Sequence, residues 1–240
     1  MLLKKKKIKI KDIDILFIAK SSSKSIRISI NEAKGVRVFV PLFVSFSSAK
    51  SFVISKINWI KSHIAKIEQL KSTRLIFTPG FIFNTKLSSI EFKLSSIDKI
   101  KSKYNNNSIQ ILIPKKNIIK SSNCQLLIRK EIEKILRKDA KIYLPKRVKY
   151  FADKFDFDYN KVIIKNAKTR WGSCSYINNI NLNLHLMRLS DELIDYVILH
   201  ELVHTKIKNH QKEFWDLLDV VSGDAKGLNR ELKKYHIHTY

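Results

Sequence analysis

The reading of this chain turns on Ser190-Asp191-Glu192-Leu193-Ile194-Asp195-Tyr196-Val197-Ile198-Leu199-His200-Glu201-Leu202-Val203-His204. Ser190 is a good N-cap, and Asp191 and Glu192 follow in the electropositive first turn of a helix. Leu193, Val197, Ile198 and Leu202 recur at helical spacing and supply an apolar face. His200 and His204 then stand one turn apart, about 40° around the axis and about 6 Å along it. Two imidazoles so placed can reach one tetrahedral Zn²⁺. Glu201 is poorly directed for a third ligand but can act as general base toward a water that the metal activates. Such a metal lowers the pKa of water toward about 7 and polarises a carbonyl or phosphoryl group.

Two ligands leave a zinc site incomplete. The helix should end near Lys208-Asn209, because Asn tolerates the left-handed conformation, and the turn can swing His210 back toward the metal. Three His and one water make an open, catalytic site. Phe214, Trp215, Leu217 and Leu218 form an apolar stripe that would hold His210. Glu213, Asp216, His236 and His238 are rival third ligands, with Glu213 the strongest of them.

Upstream, residues 161–187 read as three short strands, Val162 to Ile164, Trp171 to Tyr176 and Ile180 to Leu186, with a turn at Asn178-Asn179. Arg170 could meet a carboxylate, a phosphate or a developing oxyanion, or simply hold the hairpin. Trp171 and Asn183 are further substrate-binding candidates, although Trp171 also suits the core. Cys174 reads as a buried strand residue.

From Ser122 to Phe155 the pattern is helical, with Pro145 expected to start a second helix or kink the first. Residues 75–119 read as short strands, including Ile90 to Leu94 and Ile109 to Ile113, with a turn at Tyr104 to Ser108. Ser48 to about Leu70 is an amphipathic helix starting at Ser47-Ser48, in which Trp59 packs. Residues 1–45 read as strands, among them a Ser25–Ile30 and Val36–Val40 hairpin turning at Asn31–Gly35. The fold class expected is α+β: a basic β-rich N-terminal region over 1–120 with one long helix at about 48–70, then a metallohydrolase domain over 121–240.

The net charge is +26 over 240 residues. Residues 1–120 carry 25 Lys+Arg and 6 Asp+Glu, or +19; residues 121–240 carry 22 and 15, or +7. Such a field could attract nucleotides or nucleic acid through the N-terminal half, or reflect a chain-wide bias toward lysine. With 44% hydrophobic residues a sizeable core is expected, not global disorder. Apolar runs are too short to cross a bilayer, and no apolar signal core follows Met1-Leu2-Leu3 and Lys4 to Lys7. Two cysteines, Cys124 and Cys174, make no disulfide framework and no paired metal knuckle. A cytoplasmic protein without membrane insertion is expected. Oligomeric state is not legible.

Several motifs together are recognisable. Thr169-Arg170-Trp171-Gly172-Ser173-Cys174-Ser175, Asn181-Leu182-Asn183-Leu184, Ile194 to His204, and Asn209-His210 with Phe214-Trp215 resemble the YgjP-like metallopeptidase family. That family is similar at its metal helix to the WLM and SprT-like proteases. The resemblance also covers the Ser25 to Pro41 hairpin and the helix bearing Trp59-Ile60. It implies a zincin-like C-terminal domain with an antiparallel edge hairpin, metal ligands His200, His204 and His210, and Glu201 as general base. It favours His210 over Glu213. His185 stands where the family commonly has Arg, Asn178-Asn179 replaces a Gly turn, and the stretch before Asp191 lacks the usual prolines. The implied function is a zinc metallopeptidase acting on a peptide or protein. The alternatives are a metal-dependent nucleoside triphosphate phosphohydrolase and a nucleic-acid-associated protease.

Overall fold

The computed structural model describes residues 5–31, 34–72, 74–105 and 108–237. Met1 to Lys4, Glu32 and Ala33 of the first turn, Asn106 and Asn107 of the later one, and the rival ligand His238 lie outside the described residues. The fold is mixed α+β, and the chain divides into two compact units, 1–74 and 75–240.

In the first unit, alternation of apolar and polar residues at period two builds a four-stranded sheet. Its strands are β1 (Lys5–Ile10), β2 (Ile13–Ala19), β3 (Arg27–Asn31) and β4 (Gly35–Val40), ordered β1-β2-β4-β3. The expected hairpin is β3–β4, antiparallel with Asn31 opposite Gly35, whose φ of 61° suits a residue without Cβ. Ile15, Phe17, Val36 and Val38 face one way and are buried against Ala49, Val53, Ile57 and Ile60.

Those last residues belong to two helices, α1 (Phe46–Ser55) and α2 (Ile57–Ser72), where the periodicity predicts one. The N-cap is Ser45, whose hydroxyl accepts from Ser48 N–H at 3.1 Å, so the helix starts earlier than expected. The break at Lys56 has a local cause. Ser55 Oγ donates back to Phe52 O at 2.8 Å, and Lys56 N–H is shared between Phe52 O and Val53 O, which tightens the turn.

The second unit begins with β5 (Ile82–Asn84), β6 (Ser89–Ser95), β7 (Lys101–Tyr104) and β8 (Ile109–Pro114), ordered β5-β6-β8-β7. The two runs legible in the sequence, β6 and β8, are parallel neighbours; the turn near Tyr104 joins β7 to β8 instead. Phe77, Phe92, Ile111 and Ile113 share one core with Ile128, Ile132 and Ile135 of α3 (Ser122–Phe155). The expected boundary lies between 120 and 121, where strands give way to helix. This shared core instead joins the 75–119 strands to α3, and the compact units divide between Arg74 and Leu75.

Helix α3 runs for 34 residues through Pro145 without a second start. A proline inside a helix costs about 3 kcal/mol. Beyond it Val148, Phe151 and Ala152 are buried, and burying each large side chain stabilises by about 1.5–3 kcal/mol, which outweighs the break. A three-stranded sheet comes next, of β9 (Lys161–Lys165), β10 (Gly172–Cys174) and β11 (Asn179–Asn183), ordered β10-β11-β9. Asn178 takes the left-handed turn position, φ 56°, that the expected Asn178-Asn179 turn needs. Strand β11 is shorter than predicted because Leu184–Arg188 coils into a 3-10 turn, with Asn183 Oδ1 accepting from His185 N–H at its start. Helices α4 (Asp191–Lys206), α5 (Lys212–Ser222) and α6 (Ala225–Leu232) complete the unit. Among the described residues no helix is long and apolar enough to cross a membrane.

Candidate metal centre

Helix α4 carries the site because it is fixed on several sides. Leu193, Ile194, Val197, Ile198 and Leu202 are buried in the core. The Arg147 guanidinium of α3 donates to both Asp195 oxygens, at 2.6 and 2.5 Å, a two-pronged clamp between α3 and α4. Ser190 sits at the N-cap with extended backbone, but its side chain makes no cap bond to the helix. Asp191 instead pairs with Lys86 and accepts from Tyr143 Oη.

The helix ends at Lys206, earlier than a stop at Asn209 would require. Ile207 is extended, with φ −122°, and Asn209 is not left-handed. Instead, Asn209 Oδ1 accepts from Gln211 N–H, which starts α5. The early stop has a use: Ile207 O accepts a hydrogen bond from His204 Nδ1 at 3.0 Å. That bond puts the ring proton on Nδ1 and leaves Nε2 with a lone pair directed away from it.

The turn does bring His210 back. His210 Nε2 lies 3.2 Å from His204 Nε2 and 3.2 Å from His200 Nε2. Among the described residues this trio is the one cluster of His, Cys, Asp or Glu suited to a metal ion, its ligand atoms within 4.8 Å of one another. Glu213 and Asp216 are exposed on α5 and His236 is exposed near the chain end, all outside the cluster. Phe214 is fully buried, with its ring centroid 4.5–4.9 Å from all three imidazoles, and forms their apolar floor.

The donor set fits a divalent transition metal. Three imidazole nitrogens converge, and bringing lone pairs together without a cation is unfavourable. Burial, reinforced by the neighbouring His204 and His210, pushes His200 down to about 3, and burial also lowers His204. Both rings are therefore neutral at physiological pH, the protonation state a metal requires. His200 Nδ1 is buried without a partner among the described residues.

Glu201 points from the same helix toward β10. It is 5% exposed, and its Oε2 has no partner among the described residues. Burial pushes its carboxyl up to about 8, while the Cys174 backbone N–H and the Arg170 charge pull it back down. Its Oε1 lies against Gly172: a Cβ there would sit 2.6 Å from Oε1 and 2.8 Å from Cγ. Only glycine leaves room for this carboxylate. Gly172 stands within the recognised motif but has no role there, and a glycine inside a strand is the signal that could have found it.

The other expected residues divide in use. Arg170 is exposed beside the entry to β10. Trp171 is half-buried against the core, and its carbonyl accepts from Asn183 N–H at 2.8 Å. Asn183 is 1% exposed; its amide donates to Ala167 O at 2.8 Å and Arg170 O at 2.9 Å. Its side-chain amide therefore holds the loop carrying Arg170. His185 is buried with Nε2 against Asn166 Oδ1, away from the cluster. Lys208 reaches back to Ser175 O and Asn178 Oδ1, tying the loop before His210 to the β10–β11 turn.

Two solved structures are similar in part. The metallopeptidase zymogen of Methanocaldococcus jannaschii jannalysin is 24% identical, covering 38% of this chain and 94% of that one, with a TM-score of 0.35. The metallopeptidase zymogen of Pyrococcus abyssi abylysin is 24% identical, covering 38% and 93%, with a TM-score of 0.34. No curated protein matches. Residues 24–235 match the YgjP-like metallopeptidase domain family. With the match spanning both the N-terminal sheet and the histidine cluster, the chain belongs to the YgjP-like metallopeptidase family.

Proposed function

We propose that the chain is a zinc-dependent peptidase in which His200, His204 and His210 hold the metal and Glu201 is the general base. The observation that carries this is the convergence of three Nε2 atoms, two of them from the helix that also carries the buried Glu201 carboxylate. The position of α4 against β10 supports a zincin-like arrangement for residues 121–240. When bound, zinc would supply the Lewis acidity that activates water and polarises the scissile carbonyl.

The chain's own residues supply the rest. Strand β10 lies at the edge of its sheet, so its outer backbone groups can pair with an extended substrate. That pairing would bring a peptide bond beside Glu201, which packs against Gly172 of the same strand. Glu201 accepts a proton from the attacking water and returns it to the leaving amine. A carboxyl raised by burial is suited to both steps near neutral pH. Arg170 supplies positive charge at the strand's entry, and Phe214 keeps one side of the histidines dry.

The test compares wild type with Glu201→Gln on a peptide library, with zinc content measured for both. One zinc per chain in each and cleavage only by wild type is expected. Zinc-loaded wild type that cleaves no peptide would contradict the reading. Phosphate release from nucleoside triphosphates would then assign the same site to phosphoryl transfer.

A second reading, a nucleic-acid-associated peptidase, is favoured by charge. Residues 1–74 carry 17 Lys+Arg against 4 Asp+Glu. It predicts DNA or RNA binding that weakens steeply with salt, and negligible affinity at low salt would remove it.

A further inference from the structure

A groove of about 270 Å³ lies along the edge strand, lined by β10, β11, the end of β9 and the loop of residues 166–171. Lys165, Arg170, Trp171, Ser173, Asn181 and Asn183 are among its walls, and among the described residues no Asp or Glu lines it. Two cations thus meet hydroxyl and amide groups in the groove itself, while Arg170 also acts through its charge on the neighbouring Glu201. Among the described residues neither the Lys165 nor the Arg170 side chain makes a hydrogen bond or ion pair. This is unlike Arg147, Lys86 and Lys208, which all have partners.

The Arg170 loop is held rather than loose. The buried Asn183 amide binds the Ala167 and Arg170 carbonyls, and Asn183 N–H binds Trp171 O. The backbone on both sides of the guanidinium is thereby tied to β11. Preorganised cations of this kind recognise carboxylates more strongly than mobile surface lysines do. The groove also adjoins the reacting region: Gly172 lines it and touches Glu201. On an extended peptide paired to β10, side chains alternate between the two faces of the sheet. Gly172 faces Glu201, so Ser173 faces the opposite way, beside Asn181, its partner across the ladder.

We propose that this groove is a specificity subsite for a carboxylate of the substrate, an Asp or Glu side chain or a free C-terminus, bound by Arg170 with Lys165. The inference rests on the peptidase reading and deepens it. It makes the chain selective for acidic peptides, with Arg170 reading the charge and Asn183 positioning Arg170.

The experiment uses the zinc-loaded full chain and two sets of internally quenched peptides. One set varies a single position among Asp, Glu, Asn, Gln, Ala and Lys with an amidated C-terminus. The other has no acidic side chain and compares free with amidated C-termini. A preference of about tenfold or more in kcat/KM for the carboxylate is expected in one set, and that set identifies its source. Arg170→Glu should turn the preference toward Lys, and Arg170→Gln should abolish it, with zinc content unchanged in both. Binding of the preferred peptide to Glu201→Gln, measured by anisotropy, should weaken by about tenfold when Arg170→Gln is added. Cleavage with no carboxylate preference in either set, or a preference that survives Arg170→Glu, overturns the subsite and leaves the peptidase reading standing. Absence of all cleavage by the zinc-loaded chain overturns the peptidase reading and the subsite together.

Discussion

Gly172→Ala isolates the contact between β10 and the proposed general base, Glu201. The glycine does not have a positive φ, so alanine meets no backbone strain there. Its whole effect is the added methyl group, 2.6 Å from Glu201 Oε1, 2.8 Å from Cγ and 2.9 Å from Cδ. Ordinary contact begins near 3.4 Å, so the carboxylate must retreat by about 0.8 Å. Neither backbone yields easily. Gly172 is laddered to Leu182, and α4 is held by Leu199, Leu202 and Val203 in the core and by the Arg147–Asp195 clamp. Displacing a catalytic group by about 1 Å lowers turnover by about 10²-fold, and overpacking destabilises by about 1–3 kcal/mol. The three atoms nearest the added methyl all belong to Glu201 and none to a ligand imidazole, so metal should stay bound. The expected result is kcat down by about 10²-fold, a modest loss of thermal stability and full zinc occupancy. Wild-type kcat with unchanged stability would refute the packing argument. Loss of zinc would show that the glycine acts through the ligands instead.

Three further outcomes are expected from the geometry. His210→Ala should weaken zinc binding by at least about 100-fold, more than loss of a group that only supports a ligand, while Glu213→Ala leaves it unchanged; competition with a chelator measures both. Arg147→Ala leaves the largely buried Asp195 carboxylate unpaired and should destabilise unit 75–240 by about 1.5–3 kcal/mol in a denaturant titration. The Asp191 carboxyl lies below its ordinary range, chiefly through the Lys86 hydrogen bond, with burial opposing. Its contribution is present above the unfolded-state pKa and lost as pH falls through the lowered native value. Because Asp191 is half exposed, Asp191→Asn should cost under about 1 kcal/mol at pH 7. The difference from wild type should begin to shrink near pH 4, about the unfolded-state pKa, and vanish only below the lowered native value, which melting curves against pH would show.

What was legible in the sequence tracks the range of the interactions involved. His200, Glu201 and His204 are set by helix geometry alone, and five residues suffice to read them. His210 needed a turn, and its return depends on Ile207 stopping the helix rather than on Asn209, so the residue was found for a partly mistaken reason. Gly172 was hidden because its cause is tertiary, a carboxylate 29 positions away that lies against its Cα. Asn183 looked available because its residue type contacts substrates elsewhere, but burial and three backbone partners determine its use here. Period-two alternation found β6 and β8 but could not reveal that they pair in parallel, with β7 at the edge beyond β8. The boundary was drawn where strands give way to helix, a local change of pattern. The 75–119 strands join α3 through buried Phe92, Ile111 and Ile113, a long-range packing that the local pattern does not register.

The central claim is that three histidines hold one zinc beside Glu201. A crystal of the zinc-loaded chain, measured on both sides of the zinc absorption edge, tests it most directly. The account predicts a single anomalous peak within about 2.0–2.1 Å of Nε2 of His200, His204 and His210. A peak ligated by Glu213, or no peak at these three nitrogens in protein with stoichiometric zinc, would contradict it.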